Sequence, residues 1–383
     1  MRKNLLLVAA SVFFSLAAIE GLCRLFVPLA SPYSLPLELI VQDVRGPWIL
    51  DPGFSGTMDN RVDFRDKAVN ADSAGGRLVP CREAASADAR RVFLFGDSQT
   101  FGHGLADGET WANGLQCRLN RAGTAFRTYD LGIPGTNIDS YISRFRQVQA
   151  SLGPGDRVIV GVTWNDLHSD PGADALQIAQ RQLSERAAAS GSFDAEPARP
   201  LRPLSKPTWR YRTYRSMGVF VPDFGSAKSF ADSMLFSSAA FALVYPRVRE
   251  LVYRYRPRDA LFRKLPERVF ERNFRLLALL GEAASRTGAD FAVVLLPNRV
   301  FFDRFYYDAY SQNGQVFPEQ DFLGHLAKRY CQDLGIRCVS MFPYLRTDRR
   351  DAFTYRFDGH YNEAGAERVA AGIYAELFSG GVR

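Results

Sequence analysis

Histidine is scarce in this chain, with four in 383 residues, and cysteine hardly less so, with five. No Cys-x-x-Cys and no His-Glu-x-x-His occurs, so the spacings that build a structural zinc site or an iron–sulfur cluster are missing. Neither a metal site nor a metal cofactor is expected. Charge of one sign is never concentrated either: 48 Lys plus Arg against 41 Asp plus Glu leave a net +7 spread along the chain. Such a mild excess suits a membrane-proximal protein and calls for no nucleic-acid partner. Internal repeats are absent, and 46% hydrophobic with 23% charged residues exclude a disordered, collagenous or coiled-coil chain. The length fits two compact units, or one large domain with insertions.

One long apolar run is present, and it lies at the start. Arg2 and Lys3 precede Leu5 to Ile19, and Glu20 and Arg24 follow. That layout is a signal anchor over residues 1–27, with the positive end retained inside and Glu20 near the far interface. Ser15-Leu16-Ala17 offers an alternative cleavage site, but apolar character resumes at Leu25-Phe26-Val27, which favours an uncleaved anchor. Leu22 before Cys23 argues against lipidation. The expectation is a single-pass bacterial inner-membrane protein whose body lies in the periplasm or outside. In an oxidising compartment the remaining cysteines become candidate bridges, Cys331 with Cys338 and Cys81 with Cys117. The alternative is that they are buried small hydrophobes.

Residues 28–88, rich in Pro, Gly and Asp, read as a stalk and irregular N-terminal segment. A continuous apolar run then appears at Arg91–Phe95, as expected of a buried parallel strand. Further strands are expected at Arg127–Leu131, Arg157–Val162, Phe291–Leu296 and Ile336–Met341. Helices are expected from Trp111, where Trp111, Leu115 and Leu119 make an apolar stripe, and over Glu267–Arg286, Asp321–Leu334 and Glu363–Phe378. This alternation implies an α/β fold, a doubly wound parallel sheet of flavodoxin-like, three-layer type, formed by residues 89–170 and 266–383. Residues 171–265 break the pattern and read as a helical insertion, either a lid or a membrane-proximal element. Its apolar stretch Met234–Tyr245 is too short to span a bilayer, and its basic-aromatic run at 209–215 reads as a solvated face or an interfacial anchor.

Chemistry concentrates in two places. Gly96-Asp97-Ser98 follows a buried strand and precedes a helix, which would set Ser98 at the carboxyl edge of the sheet. Asp358-Gly359-His360 lies just before the last helix; in an extended segment two side chains two positions apart project to one face. A serine nucleophile needs a base, and the base needs an acceptor on its other ring nitrogen. Ser98, His360 and Asp358 could supply the three. Gly135, in Gly132-Ile133-Pro134-Gly135, and Asn165 could join the Ser98 N–H as oxyanion donors. Each has a plainer reading, as a cap, a loop residue or a turn residue. His103 and His168 read as polar wall residues and His325 as a surface group. Gly102-His103-Gly104 half-matches a dinucleotide fingerprint, but Asp107 stands where the third glycine belongs, so no nucleotide cofactor is expected.

In this order and spacing the blocks around Ser98, Gly135, Asn165-Asp166 and Asp358-x-His360-x-Asn362-x-x-Gly365 resemble the SGNH (GDSL-type) hydrolase superfamily. The stretch from Asn70 to Arg77 resembles a lead-in common in its membrane-anchored bacterial members. By that resemblance Ser98 is the nucleophile, Gly135 and Asn165 complete the oxyanion hole, and His360 with Asp358 forms the base pair. Two positions depart from the pattern. Thr163 stands where the family usually has glycine, which is expected to narrow the pocket. The Asp-x-His spacing is shorter than Asp-x-x-His and is similar to that of exopolysaccharide O-acetyltransferases. The resemblance implies a serine esterase acting on O-acetyl or short-chain esters of the cell envelope. It leaves open an O-acyltransferase serving an exported polysaccharide, and a non-catalytic glycan-binding or assembly factor.

Overall fold

The structure, a computed structural model, describes residues 2–26, 29, 31, 33–43, 47–86, 88–184, 201–203, 209, 211–213, 234, 236–241, 243–244, 267–312 and 319–379. The first element is the helix α1 (Arg2–Phe26); its part from Leu7 to Phe26 is long and apolar enough to cross a membrane.

The body is built on five parallel strands, β5 (Arg90–Phe95), β6 (Phe126–Asp130), β7 (Arg157–Val162), β9 (Asp290–Leu295) and β10 (Cys338–Ser340), in the order β10-β9-β7-β5-β6. Counted within the sheet this is 2-1-3-4-5, the flavodoxin-like doubly wound order. Alternate side chains of each strand leave on opposite faces, and both faces are buried. Phe93, Phe95, Val158, Val160 and Val162 join one core, packed by α4 (Ile138–Gln149), α6 (Ala175–Ser184), α7 (Glu267–Ser285) and α10 (Phe322–Asp333). Val92, Leu94, Ile159 and Val294 join the other, under α3 (Trp111–Arg121) and α12 (Glu363–Leu377). The chain leaves β5 towards β6, then crosses back to β7. Open sheets of this order place their ligands at that reversal, outside the carboxyl ends of the strands.

The stretch expected to be an irregular stalk is not one. Residues 28–88 carry β1 (Ile40–Asp43), β2 (Trp48–Leu50), β3 (Ser55–Met58) and β4 (Lys67–Asn70). β1 pairs antiparallel with β2, and β3 with β4. Leu39, Leu50, Met58, Phe64 and Val69 bury their side chains in the core shared with α3 and α12. These strands are only three or four residues long and broken by turns, so no period two long enough to read is left in the sequence. The insertion boundary also moves, because Ala175, Ala179 and Leu183 of α6 belong to the main core. Further on, β8 (Leu201–Pro203) adds to β1, so the insertion and the N-terminal segment share one small sheet. Most of 185–266 lies outside the described residues. The cysteines pair as expected, Cys81 with Cys117 and Cys331 with Cys338, leaving Cys23 free.

Candidate active site

At the end of β5 the Asp97 carboxylate accepts from the Gln99 N–H at 2.9 Å, which starts the one-turn helix α2 (Ser98–Phe101) and places Ser98 at its first position. Ser98 is partly exposed at the carboxyl edge of the sheet. From the far end of the chain, the loop before α12 returns to meet it. His360 Nε2 lies 2.7 Å from Ser98 Oγ, and His360 Nδ1 is hydrogen-bonded to Asp358 Oδ1. Gly359, at φ +85°, takes the left-handed turn that brings the carboxylate and the ring together. The three residues read from the sequence therefore meet, in the order Ser98–His360–Asp358.

Burial disfavours charge on both partners, but the hydrogen bond and opposite charge outweigh it. Asp358 is held down at about 2, and His360 is raised above the ordinary imidazole range. At neutral pH Asp358 is an anion, and in the neutral form of His360 it holds the Nδ1–H tautomer, leaving Nε2 as acceptor for the Ser98 hydroxyl.

Asn165 starts from the end of β7 in the short helix α5 (Trp164–His168). Its Nδ2 donates to Asp97 Oδ2 at 2.8 Å and its Oδ1 accepts from Thr163 Oγ1 at 2.6 Å. One amide hydrogen is thereby spent and the second is left for another acceptor. Thr163, expected to narrow the pocket, is fully buried and turned inward instead. Its hydroxyl lies 3.1 Å from both Asp97 Oδ2 and Asp166 Oδ2, and Tyr141 donates to Asp166 Oδ1 at 2.6 Å. Burial first, and the charge of Asp97 second, push the Asp166 carboxyl well above the usual range. Gly135 is exposed, at φ +78°, in the loop after β6; that loop is pinned to the serine turn by the Ile133 N–H on the Gly96 carbonyl at 3.0 Å.

Several further groups support the site, of which His103 was read from the sequence as a polar wall residue and Asp63 and Ser34 were missed. His103 is buried, its ring 4.6 Å from that of His360, with Nε2 at 3.2 Å from Ser34 Oγ and 3.6 Å from Asp358 Oδ2. Burial, and then the neighbouring His360, lower it to about 4, so it is neutral at physiological pH. Asp63 accepts the Asp358 N–H at 2.8 Å and the Phe357 N–H at 3.1 Å, bracing the acid loop from the N-terminal segment. Asn70 and Arg77, the ends of the lead-in stretch, converge on Asp107 at 2.6 and 3.0 Å. No spacing in the sequence announces Asp63 or Ser34, which reach the site from the segment read as a stalk. Of the other histidines, His325 is exposed and paired with Glu319, and the side chain of His168 lies outside the described residues. Among the described residues, His103, Asp358 and His360 are also the cluster whose ligand atoms would suit a metal, lying within 4.8 Å of one another. Those atoms are engaged with each other, with Ser98 and with Ser34.

No family model matches the chain, and no curated protein matches it. Solved structures do. A member of the lipolytic protein G-D-S-L family from Veillonella parvula is 13% identical, over 76% of this chain and 98% of that one, with a TM-score of 0.35. The aryl esterase of M. smegmatis is 12% identical, over 76% and 98%, with a TM-score of 0.39. Est24, a carbohydrate acetylesterase from Sinorhizobium meliloti, is 13% identical, over 75% and 98%, with a TM-score of 0.35. At identities and scores this low the chemistry has to be argued from the residues themselves.

Proposed function

We propose that this chain is an ester-acting serine enzyme of SGNH type, anchored by α1 in a bacterial inner membrane with its body on the periplasmic side. The observation that carries the reading is the unbroken relay from Ser98 Oγ through His360 to Asp358 at the carboxyl edge of a doubly wound sheet. Ser98 Oγ attacks the ester carbonyl carbon while His360 Nε2 takes its proton. The carbonyl oxygen, now an anion, is met by the free amide hydrogen of Asn165 and the N–H groups of Ser98 and Gly135. Collapse expels the alcohol, which receives its proton from His360. Water then repeats the sequence on the acyl-enzyme and releases the acid. The substrate class is an acyl ester of the cell envelope, O-acetyl or short-chain, and no cofactor is called for. An acceptor hydroxyl of an exported polysaccharide in place of water would make the same site an O-acyltransferase.

An organophosphonate probe followed by peptide mass spectrometry tests the reading. Ser98 should carry the label, and His360→Ala should abolish it. A folded protein that takes no label, or takes it elsewhere, would be a glycan-binding or assembly factor on the same fold. Hydrolysis of acetyl esters with and without added polysaccharide then separates esterase from transferase by whether acetate or acetylated glycan accumulates.

A further inference from the structure

Helix α1 keeps its large apolar side chains uncovered by protein: Leu7, Phe13, Phe14, Leu22, Leu25 and Phe26 are each more than half exposed. Such a helix needs lipid around it. Glu20 is then out of place, since a carboxylate at the edge of hydrocarbon is costly unless its oxygens are satisfied.

The structure satisfies them from far along the chain. Glu20 Oε2 accepts from Ser238 Oγ at 2.7 Å and from the Ala240 N–H at 3.1 Å. Its Oε1 accepts from the Ala239 N–H at 3.0 Å and from Arg24 Nε at 2.7 Å. Arg24 in turn donates through Nη2 to the Ser237 carbonyl at 2.7 Å. Ser238 interrupts the helical course of this stretch: its N–H still bonds the Met234 carbonyl at 3.0 Å, while its Oγ accepts from the Phe241 N–H at 3.2 Å. The acid and base of α1, four positions apart on one face, thus engage the two sides of that interruption, Arg24 the carbonyl before it and Glu20 the amides after it. Ala239 is fully buried at the contact, whereas Leu243 and Val244, one turn further on, are 48% and 54% exposed.

We propose that residues 234–244 are a membrane-surface element, lying in the interface of the bilayer beside α1 and fastened to it by Glu20 and Arg24. The lipid bilayer is the partner of its apolar face. The stretch is too short to span, it carries the half-exposed apolar side chains Leu243 and Val244, and it is fastened to a helix that itself requires lipid. Two further contacts tie the same insertion to the site-bearing N-terminal segment: β8 pairs with β1, and the buried Tyr211 donates to Glu38 Oε2 at 2.8 Å. Docking 234–244 therefore holds the mouth of the sheet close to the membrane. The inference rests on α1 as a membrane span and is independent of the ester chemistry.

The test uses full-length protein carrying Cys23→Ser, reconstituted in phosphatidylcholine–phosphatidylglycerol vesicles. A single fluorophore is placed at Leu243→Cys, at Phe13→Cys within the span, or at Arg275→Cys on the exposed side of α7. Spin-labelled lipid should quench positions 13 and 243 and spare 275. Quenching at 13 but not at 243 overturns the proposal; no quenching at 13 removes the span on which it rests. Adding Glu20→Ala should cut quenching at 243 by about half or more and leave 13 unchanged. Full quenching at 243 in that variant refutes the fastening. Phosphonate labelling of the same samples reports on Ser98 separately, so failure of either reading is recognised on its own.

Discussion

Arg77→Leu is expected to be among the most damaging single changes outside the reacting groups. The Arg77 side chain has no exposure, and its guanidinium lies 4.5 Å over the Phe101 ring. Nε donates to Asp107 at 3.0 Å, Nη1 to the Phe101 and Gly102 carbonyls at 2.6 and 2.7 Å, and Nη2 to the Leu105 carbonyl. All three carbonyls belong to the turn that follows Ser98 and carries His103. Leucine strands the Asp107 charge, and removing one partner of a buried pair costs about 3–5 kcal/mol. Each carbonyl left without a donor adds about 1 kcal/mol. Asp107 retains its two bonds from Asn70, at 2.6 and 3.2 Å, which places the total at the lower end, about 6 kcal/mol. That is a large share of a typical folding reserve of about 5–15 kcal/mol and, with an unfolding entropy of about 2.1 cal/mol/K per residue, corresponds to a fall in Tm of roughly 8 °C. Circular-dichroism melting would measure it. The double variant Arg77→Leu/Asp107→Leu removes the stranded charge and should recover about 2 kcal/mol. A single variant that melts within about 2 °C of wild type, or a double variant no better than the single, would refute the reasoning.

Three other outcomes are expected. Because Asp358 holds His360 above the ordinary imidazole range, the base is protonated up to a higher pH; the acid limb of kcat/KM should have its midpoint above about 6.5. Asp358→Asn should lower the rate by about 10⁴-fold, and a midpoint below that of free imidazole in the wild type would contradict the assignment. Asn165→Ala should cost about 100-fold or more in kcat while phosphonate-free stability stays near wild type, and Thr163→Val, which frees the carboxamide to turn, should cost about tenfold with the acid limb unmoved. Alkylation of denatured, unreduced protein should modify Cys23 alone; loop-closure entropy assigns about 4 kcal/mol to Cys81–Cys117 and about 2 kcal/mol to Cys331–Cys338, so reductant should lower Tm measurably, and two further free thiols would remove a bridge.

The parallel sheet was legible because its strands are continuous apolar runs ended by turn residues, and the observed limits, such as Arg157–Val162, fall within two residues of those expected at most strand and helix ends. Helix α4 was overlooked although Ile138, Tyr141, Ile142, Phe145 and Val148 repeat at helical spacing; the glycines and proline just before it drew the reading towards a turn. The small N-terminal sheets were illegible for another reason. Their stability comes from side chains buried against α3 and α12, and a contact so distant in sequence leaves no local period. At the site, Ser98, His360 and Asp358 were readable because their chemistry restricts residue type and spacing. Asp63, Ser34, Thr163 and His103 support them through bonds that many residue types can make, and only the fold shows where those bonds run.

Asp63 and Ser34 also decide where the chain can be cut. A truncation beginning at residue 89 would keep the whole parallel sheet, Ser98, His360 and Asp358, yet lose the carboxylate that fixes the Asp358 loop, the hydroxyl on His103 and the arginine that fills the serine turn. A soluble form should therefore start close to residue 29, just beyond α1. The smallest active unit of this protein is set by the reach of its N-terminal segment rather than by the limits of its sheet.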